Sequence, residues 1–193
     1  VQPVAALGLI CIVGSVALNA DGWAAVSLAL VLLVRLEFLA LAPVLGLYVW
    51  RFRQPVAKSS AWLFGGAIVG TGLNMLINYA RGDHLILGDY GSETFSTPIW
   101  VGLYGVLFSA GKGLVWFAPV AAAGLALMPW FYRTAPRIGF LAAGVSATLL
   151  VMVACWWTWH GGWSWGPRLL MPLMPVLVLP LAWVFDGWPH RPA

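Results

Sequence analysis

The chain has 193 residues, of which 62% are hydrophobic and 8% charged. Soluble globular domains carry about 25% charged residues, so this composition excludes a protein that faces water on all sides. The formal net charge is +4, but the ten lysines and arginines stand singly between apolar runs, which argues against nucleic-acid binding.

Apolar runs follow one another along most of the chain, and a membrane-spanning helix needs about 20 such residues. The candidate spans are residues 3–19, 23–50, 61–79, 113–132, 138–157 and 169–185. Residues 99–110 are apolar but short, which is typical of an interfacial or re-entrant helix. We therefore predict an all-α, polytopic bundle of about six spans. It forms a single transmembrane domain over residues 1–193, with an external loop that carries a short interfacial helix.

The basic residues predict how this bundle is oriented, because cytoplasmic loops are richer in Lys and Arg. If Arg51, Arg53 and Lys58 are cytoplasmic, even alternation of the spans leaves both termini in the cytoplasm. The turn at Asp21 and the long polar loops 80–112 and 156–168 then lie outside. The chain begins with Val1, which is compatible with its being the C-terminal part of a longer membrane protein.

Two charged residues, Arg35 and Glu37, interrupt the second apolar run. Ionised side chains inside a bilayer line a cavity or form pairs, because an isolated charge is costly there. Residues two apart on a helix do not face each other, so these two need separate partners or a local break in the helix. A structural ion pair to another helix, or an arginine that reaches the interface, explains them equally well.

The loop 79–98 contains four residues that suit acid–base chemistry or a divalent metal ion: Asp83, His84, Asp89 and Glu93. Their spacing matches no metal-binding motif. An ordinary solvated external loop is therefore the favoured interpretation, and a metal ion remains a hypothesis.

The segment 108–113 places Lys112 among small residues at the start of a predicted span. Small residues let backbone amides approach an anion, and an ammonium group adds charge, so this pattern favours phosphate binding. The longer glycine frame of nucleotide-binding loops is absent. An interfacial lysine that touches lipid headgroups is the alternative.

The loop 156–168 has the most distinctive composition, because it interleaves five tryptophans with His160, Gly161, Gly162 and Arg168. Tryptophan is enriched at membrane interfaces, which accounts for part of this pattern. Aromatic faces also bind sugar rings, and the guanidinium fork of arginine suits phosphate. We therefore predict that His160 and Arg168 form a pair that contacts an acceptor or a phosphate.

Together these segments resemble the later half of bacterial polytopic glycosyltransferases of the C-type superfamily, which use polyprenyl-phosphate-linked sugars. The resemblance rests on residues 78–79, 88–91, 95–98 and 102–113, on the segment from Trp159 to Arg168, and on Arg35-Leu36-Glu37-Phe38. It covers most of residues 23–183.

The resemblance implies inverting sugar transfer from a polyprenyl-phosphate donor on the non-cytoplasmic face of the bacterial inner membrane. Lys112 and Arg168 would stabilise the departing phosphate. The substrate cavity would be lined by His160, Trp159, Trp163, Arg35 and Glu37. Such enzymes carry their catalytic carboxylate on a first external loop, which this chain does not show. The catalytic residue therefore stays unassigned, and no cofactor beyond the hypothetical metal ion is expected.

Two other classes of function stay open. A non-catalytic multi-span subunit of a larger membrane complex would bind the lipid bilayer and other membrane chains, and the missing catalytic loop favours it. A transporter or channel is the weaker alternative, because the sequence shows no inverted repeat and no run of intramembrane acids.

Overall fold

A computed structural model describes residues 2–81, 94–163 and 166–187, with side chains up to residue 185. Within these ranges the chain is helical and contains no strand, which confirms the predicted fold class. The chain divides into two compact units, Val1–Glu93 and Thr94–Ala193, and each is described by itself. The prediction of a single transmembrane domain stays a prediction.

The first unit contains four α-helices and one 3₁₀ helix. They are α1 (Gln2–Ala17), α2 (Asp21–Val34), the 3₁₀ helix Leu36–Leu41, α3 (Ala42–Phe52) and α4 (Val56–Ala80). The buried side chains of α1 and α2 are almost all aliphatic or small. This composition lets the two helices pack closely as an antiparallel hairpin around a three-residue turn.

Helices α2 and α4 run parallel at very short distance because glycines of α4 face the backbone of α2. A Cβ atom on Gly66 would lie 2.4 Å from the carbonyl oxygen of Ala25, and one on Gly70 would lie 2.5 Å from that of Ala29. The contact advances by four residues on both helices, which is one turn of each. Small residues at this spacing let helix backbones approach each other in a bilayer.

The second apolar run, residues 23–50, folds back on itself, so its prediction as one span was wrong. Helix α2 ends at Arg35, whose backbone is extended (φ −154°, ψ 109°). At the far end of α3, Arg53 returns to Asp21, with 2.6 Å between Nη2 and Oδ1. Pro43 in the first turn of α3 favours a new helix start at this reversal, and apolar composition alone does not reveal it.

This reversal also corrects the predicted orientation of the first unit. Even alternation placed Asp21 and Arg53 on opposite faces, yet they form an ion pair. Because α1 is antiparallel to α2 and α4 is parallel to it, Gln2 and Ala80 lie together at the other end of the unit. The start of the chain and the end of α4 therefore lie at the same end of the unit, whereas even alternation of the spans placed them on opposite sides.

Arg53 is the centre of a polar cluster that joins two turns of the first unit. Its side chain is 7% exposed, pairs with Asp21 and donates to Asn19 Oδ1. Ser59 Oγ donates to the other carboxylate oxygen of Asp21 at 3.0 Å. The turn between α1 and α2 is thereby fixed to the turn between α3 and α4.

The second unit contains five α-helices and another 3₁₀ helix. They are α5 (Ile99–Phe108), α6 (Leu114–Phe117), α7 (Pro119–Thr134), α8 (Pro136–Cys155), the 3₁₀ helix Arg168–Leu173 and α9 (Met174–Gly187). Helices α7 and α8 form an antiparallel hairpin, and α7 meets α9 at Gly124. A Cβ atom there would lie 1.7 Å from the carbonyl oxygen of Leu177.

Among the described residues, three helical segments are long and apolar enough to cross a membrane: Val56–Ala80, Pro136–Cys155 and Arg168–Phe185. The structure therefore supports a membrane protein, whereas six spans are not confirmed. The first segment buries only 11% of its most apolar window inside the protein and exposes Phe64, Ile68 and Leu76. At about 1.5 Å per residue its 25 residues exceed the ~30 Å of hydrocarbon, so lipid is the medium that this surface fits.

Two glycines of α4 provide a matched test of the contact between α2 and α4. Gly70→Leu should destabilise the protein by about 1–3 kcal/mol or prevent its folding, because the new side chain has no room beside Ala29. Gly72→Leu should be nearly neutral, because nothing lies within 4 Å of its Cβ position. Unfolding titrations in mixed detergent micelles measure the free energy of unfolding and the midpoint for both variants. Equal midpoints for the two would contradict the parallel α2–α4 packing.

The buried arginine gives a second test. Arg53→Met should lower the free energy of unfolding by about 3–5 kcal/mol, because the carboxylate of Asp21 loses its partner in a largely buried site. The matched control is Arg51→Met, which removes the same charge two residues away, where the side chain is exposed. The same micelle titration compares the two variants. If Arg51→Met lowered the free energy of unfolding as much as Arg53→Met does, the proposed role of Arg53 in joining the two turns would be refuted.

Candidate functional site

The candidate site lies where α8 ends, because the segment before α5 is fixed to the segment after α8. The amide of Thr97 donates to the carbonyl oxygen of Cys155 at 3.1 Å, and the amide of Trp157 donates to that of Thr94 at 3.0 Å. The hydroxyl of Thr97 donates to Trp156 O at 2.9 Å. These bonds join two segments that are about 60 residues apart in the chain, and no motif in the sequence predicts their pairing.

Helix α5 then crosses the end of α8 at two glycines. A Cβ atom on Gly102 would lie 1.8 Å from the carbonyl oxygen of Ala154, in the last turn of α8. Three residues further on, Gly105 accommodates the indole of Trp159, whose ring atoms lie 2.3–2.7 Å from the Cβ position. Glycine is required at both positions because any side chain would displace α5 from this end of the unit.

Lys112 lies on the turn that follows α5 and contacts the tryptophan-rich loop. The turn is closed by the amide of Gly113, which donates to Ser109 O at 2.7 Å. The half-buried ammonium of Lys112 donates to the carbonyl oxygen of Gly162 at 2.9 Å. The turn that carries Lys112 and the tryptophan-rich loop are therefore in direct contact. The prediction that loops 80–112 and 156–168 lie on the same side requires such proximity.

His160 and Gly162 shape the loop that Lys112 contacts. The amide of Gly162 donates to Nδ1 of His160 at 3.2 Å, and the imidazole meets the indole of Trp159 edge-on at 5.6 Å. Gly161 and Gly162 both have a φ of 68°, which only glycine adopts without strain. Lys112 and His160 thus contact the same residue, Gly162, one at its carbonyl oxygen and the other at its amide.

Arg168 is not joined to Lys112 or His160 by any contact among the described residues. It follows Gly166, whose positive φ of 66° turns the chain against the ring of Phe117. The guanidinium of Arg168 is exposed at the start of the 3₁₀ helix. Trp163 is fully exposed as well. Trp159 and His160 lie beside the loop that Lys112 contacts, and the predicted substrate cavity stays a prediction.

Two buried hydroxyl groups belong to the same turns and have no protein partner in the described parts of the chain. They are Ser109 Oγ beside Lys112 and Thr158 Oγ1 beside Trp159. A buried hydroxyl without a partner costs about 1–3 kcal/mol. Polar groups are thus present that a bound polar molecule would satisfy.

Arg35 and Glu37 belong to the first unit and form an ion pair with each other. The extended backbone at Arg35 makes this contact between residues two apart possible, so the local break was the correct alternative. Beside the break, Asn74 Nδ2 donates to Leu33 O at 2.8 Å, and Asn78 Nδ2 donates to Asn74 Oδ1 at 3.0 Å. The asparagines provide a partner for a carbonyl group that the broken helix leaves free.

The four external-loop candidates, Asp83, His84, Asp89 and Glu93, lie outside the described residues. The described residues contain no group of three or more histidines, cysteines and carboxylates that would hold a metal ion. The metal hypothesis for the loop therefore stays a hypothesis.

Comparison of the chain with protein-family models, curated proteins and solved structures found no match.

The link between Lys112 and the loop predicts a change in backbone protection. Lys112→Met removes the donor to Gly162 O, so the amides of residues 160–162 should exchange with deuterium about three- to tenfold faster, as expected for a bond of about 1 kcal/mol. Arg168→Met should leave these amides unchanged, since its side chain makes no hydrogen bond in the described chain. Hydrogen exchange followed by mass spectrometry distinguishes the two. Equal protection in both variants would show that Lys112 does not hold the loop.

Proposed function

We propose that this chain is a membrane glycosyltransferase-like protein that uses a polyprenyl-phosphate-linked sugar on the non-cytoplasmic face of a bacterial inner membrane. One observation carries the proposal: Lys112 Nζ contacts Gly162 O at 2.9 Å and so unites the lysine–glycine turn with the tryptophan–histidine loop. Both motifs belong to the resemblance, and the contact gives them one location. The catalytic carboxylate remains unassigned in this chain.

The charge of the second unit supports an anionic ligand. From Thr94 to Ala193 the sequence contains one acidic residue, Asp186, against five lysines and arginines. The ammonium of Lys112 has three donors, and one of them binds Gly162 O. A phosphate at the end of α8 would meet this positively charged side chain.

The surroundings of Lys112 also suit the two other parts of such a donor. The indole of Trp159 and the exposed indole of Trp163 offer flat apolar faces of the kind that bind sugar rings. The polyprenyl chain requires a lipid-facing approach, which the exposed apolar surface of α5 provides. The phosphate, the sugar and the lipid therefore each have a complementary group on one unit.

A binding experiment tests this proposal without knowledge of the sugar. The purified chain in detergent should bind undecaprenyl phosphate but not the uncharged alcohol undecaprenol. Lys112→Ala and Arg168→Ala should each weaken binding about tenfold or more, because each removes a charged hydrogen-bond donor worth about 1.5–3 kcal/mol. In the full-length enzyme the same variants should abolish turnover of the lipid-linked sugar while leaving folding intact.

The matched control is Arg133→Ala, which removes an exposed arginine of the same unit at the other end of the α7–α8 hairpin. Its affinity for undecaprenyl phosphate should equal that of the unchanged protein. Equal binding of the phosphate and the alcohol, or unchanged binding in both test variants, would reject the phosphate role of Lys112 and Arg168.

A second function, a non-catalytic subunit of a larger membrane complex, is favoured by the surface of α4. This helix exposes Trp62, Phe64 and Ile68 while burying little of its length. Other membrane chains would cover such a face as readily as lipid. Light scattering of the protein extracted in mild detergent distinguishes the two: a monodisperse monomer would count against the subunit function.

A further inference from the structure

Helix α5 presents a continuous aromatic face that no described part of the second unit covers. Trp100, Tyr104 and Phe108 are 78%, 68% and 52% exposed, respectively. They recur every four residues, so they lie on one side of the helix. The opposite side is buried and consists of Gly102, Gly105 and Val106.

The contacts of α5 and its flanking residues lie at the last turn of α8 and in the loop beyond it. Before α5, Thr97 binds the carbonyl oxygen of Cys155, and within α5, Gly102 faces Ala154. A helix that ran back along α8 would next meet residues near the middle of α8. Gly105 meets Trp159 instead, and Lys112 then reaches Gly162, both beyond the end of α8.

The length of α5 agrees with this placement. Helix α8 is long and apolar enough to cross a membrane, so its end at Cys155 marks one membrane surface. The ten residues of α5 extend about 15 Å, half the thickness of the hydrocarbon core. A helix of this length is too short to cross the bilayer, and its contacts hold it at the end of a segment that is long enough to do so.

We infer that α5 is a monotopic membrane-binding element whose aromatic face inserts at the boundary between lipid headgroups and acyl chains. Tryptophan and tyrosine favour this depth because they combine a large apolar ring with one polar group. Lys112 is the single charged residue between Thr94 and Ala118, so the segment carries no negative charge that anionic headgroups would repel. This inference stands on the packing of α5 and does not depend on the proposed function.

Site-directed spin labelling tests the inference through the depth of each label. In a protein with Cys11 and Cys155 replaced by alanine, single cysteines are introduced as Trp100→Cys, Tyr104→Cys and Phe108→Cys, and each is spin-labelled. The matched series on α4 is Phe64→Cys, Ile68→Cys and Leu76→Cys, which are also exposed. All are reconstituted in vesicles of phosphatidylethanolamine and phosphatidylglycerol. Collision rates with oxygen and with a water-soluble nickel chelate then give the depth, calibrated with spin-labelled lipids.

The three labels on α5 should report nearly the same shallow depth, with both collision partners detected. On an upright α5, the labels at residues 100 and 108 would differ in depth by about 12 Å, and on α4 those at residues 64 and 76 should differ by about 18 Å. A depth gradient along α5 would overturn the inference. So would immobilised labels reached by neither collision partner, which would indicate a protein partner, or labels reached mainly by the nickel chelate, which would indicate water.

Discussion

Close contact between helix backbones is the constraint on which both units depend. Lipid is as apolar as the helix surfaces, so burial of leucine gives little reason for two helices to associate inside a bilayer. Dispersion forces fall off steeply with distance and favour helices only where side chains do not keep them apart. Gly66 and Gly70 provide that approach in the first unit, and Gly102 and Gly124 provide it in the second. Glycines with open space beside them, such as Gly65, are not part of it.

Polar groups complement this packing by fixing where the chain turns. Arg53 holds two turns of the first unit together through Asp21, and Asn74 binds a carbonyl group beside the break at Arg35. In an apolar medium each such group must find a partner inside the protein, because water does not supply one. The few polar residues of this chain therefore specify its reversals, whereas its many apolar residues specify that it is helical.

This division explains which features the sequence predicts. Helical structure and membrane character follow from composition, and they are confirmed. The reversal inside residues 23–50 was missed, because an apolar run reads alike whether it forms one helix or two; Pro43 was the available signal. The contact of Lys112 with Gly162 agrees with the prediction that loops 80–112 and 156–168 lie on the same side. The pairing of Thr94 and Thr97 with the end of α8 was not predicted, because it depends on backbone groups that every residue has.

The location of Lys112 follows from the same two principles. Gly102 and Gly105 bring α5 against the end of α8, and the turn closed at Gly113 then directs the ammonium to Gly162 O. The backbone contacts of two glycines and the closure of one turn therefore place a cationic side chain beside the tryptophan-rich loop. Small residues set the distance between the helices, and the polar group then joins the segments that follow them.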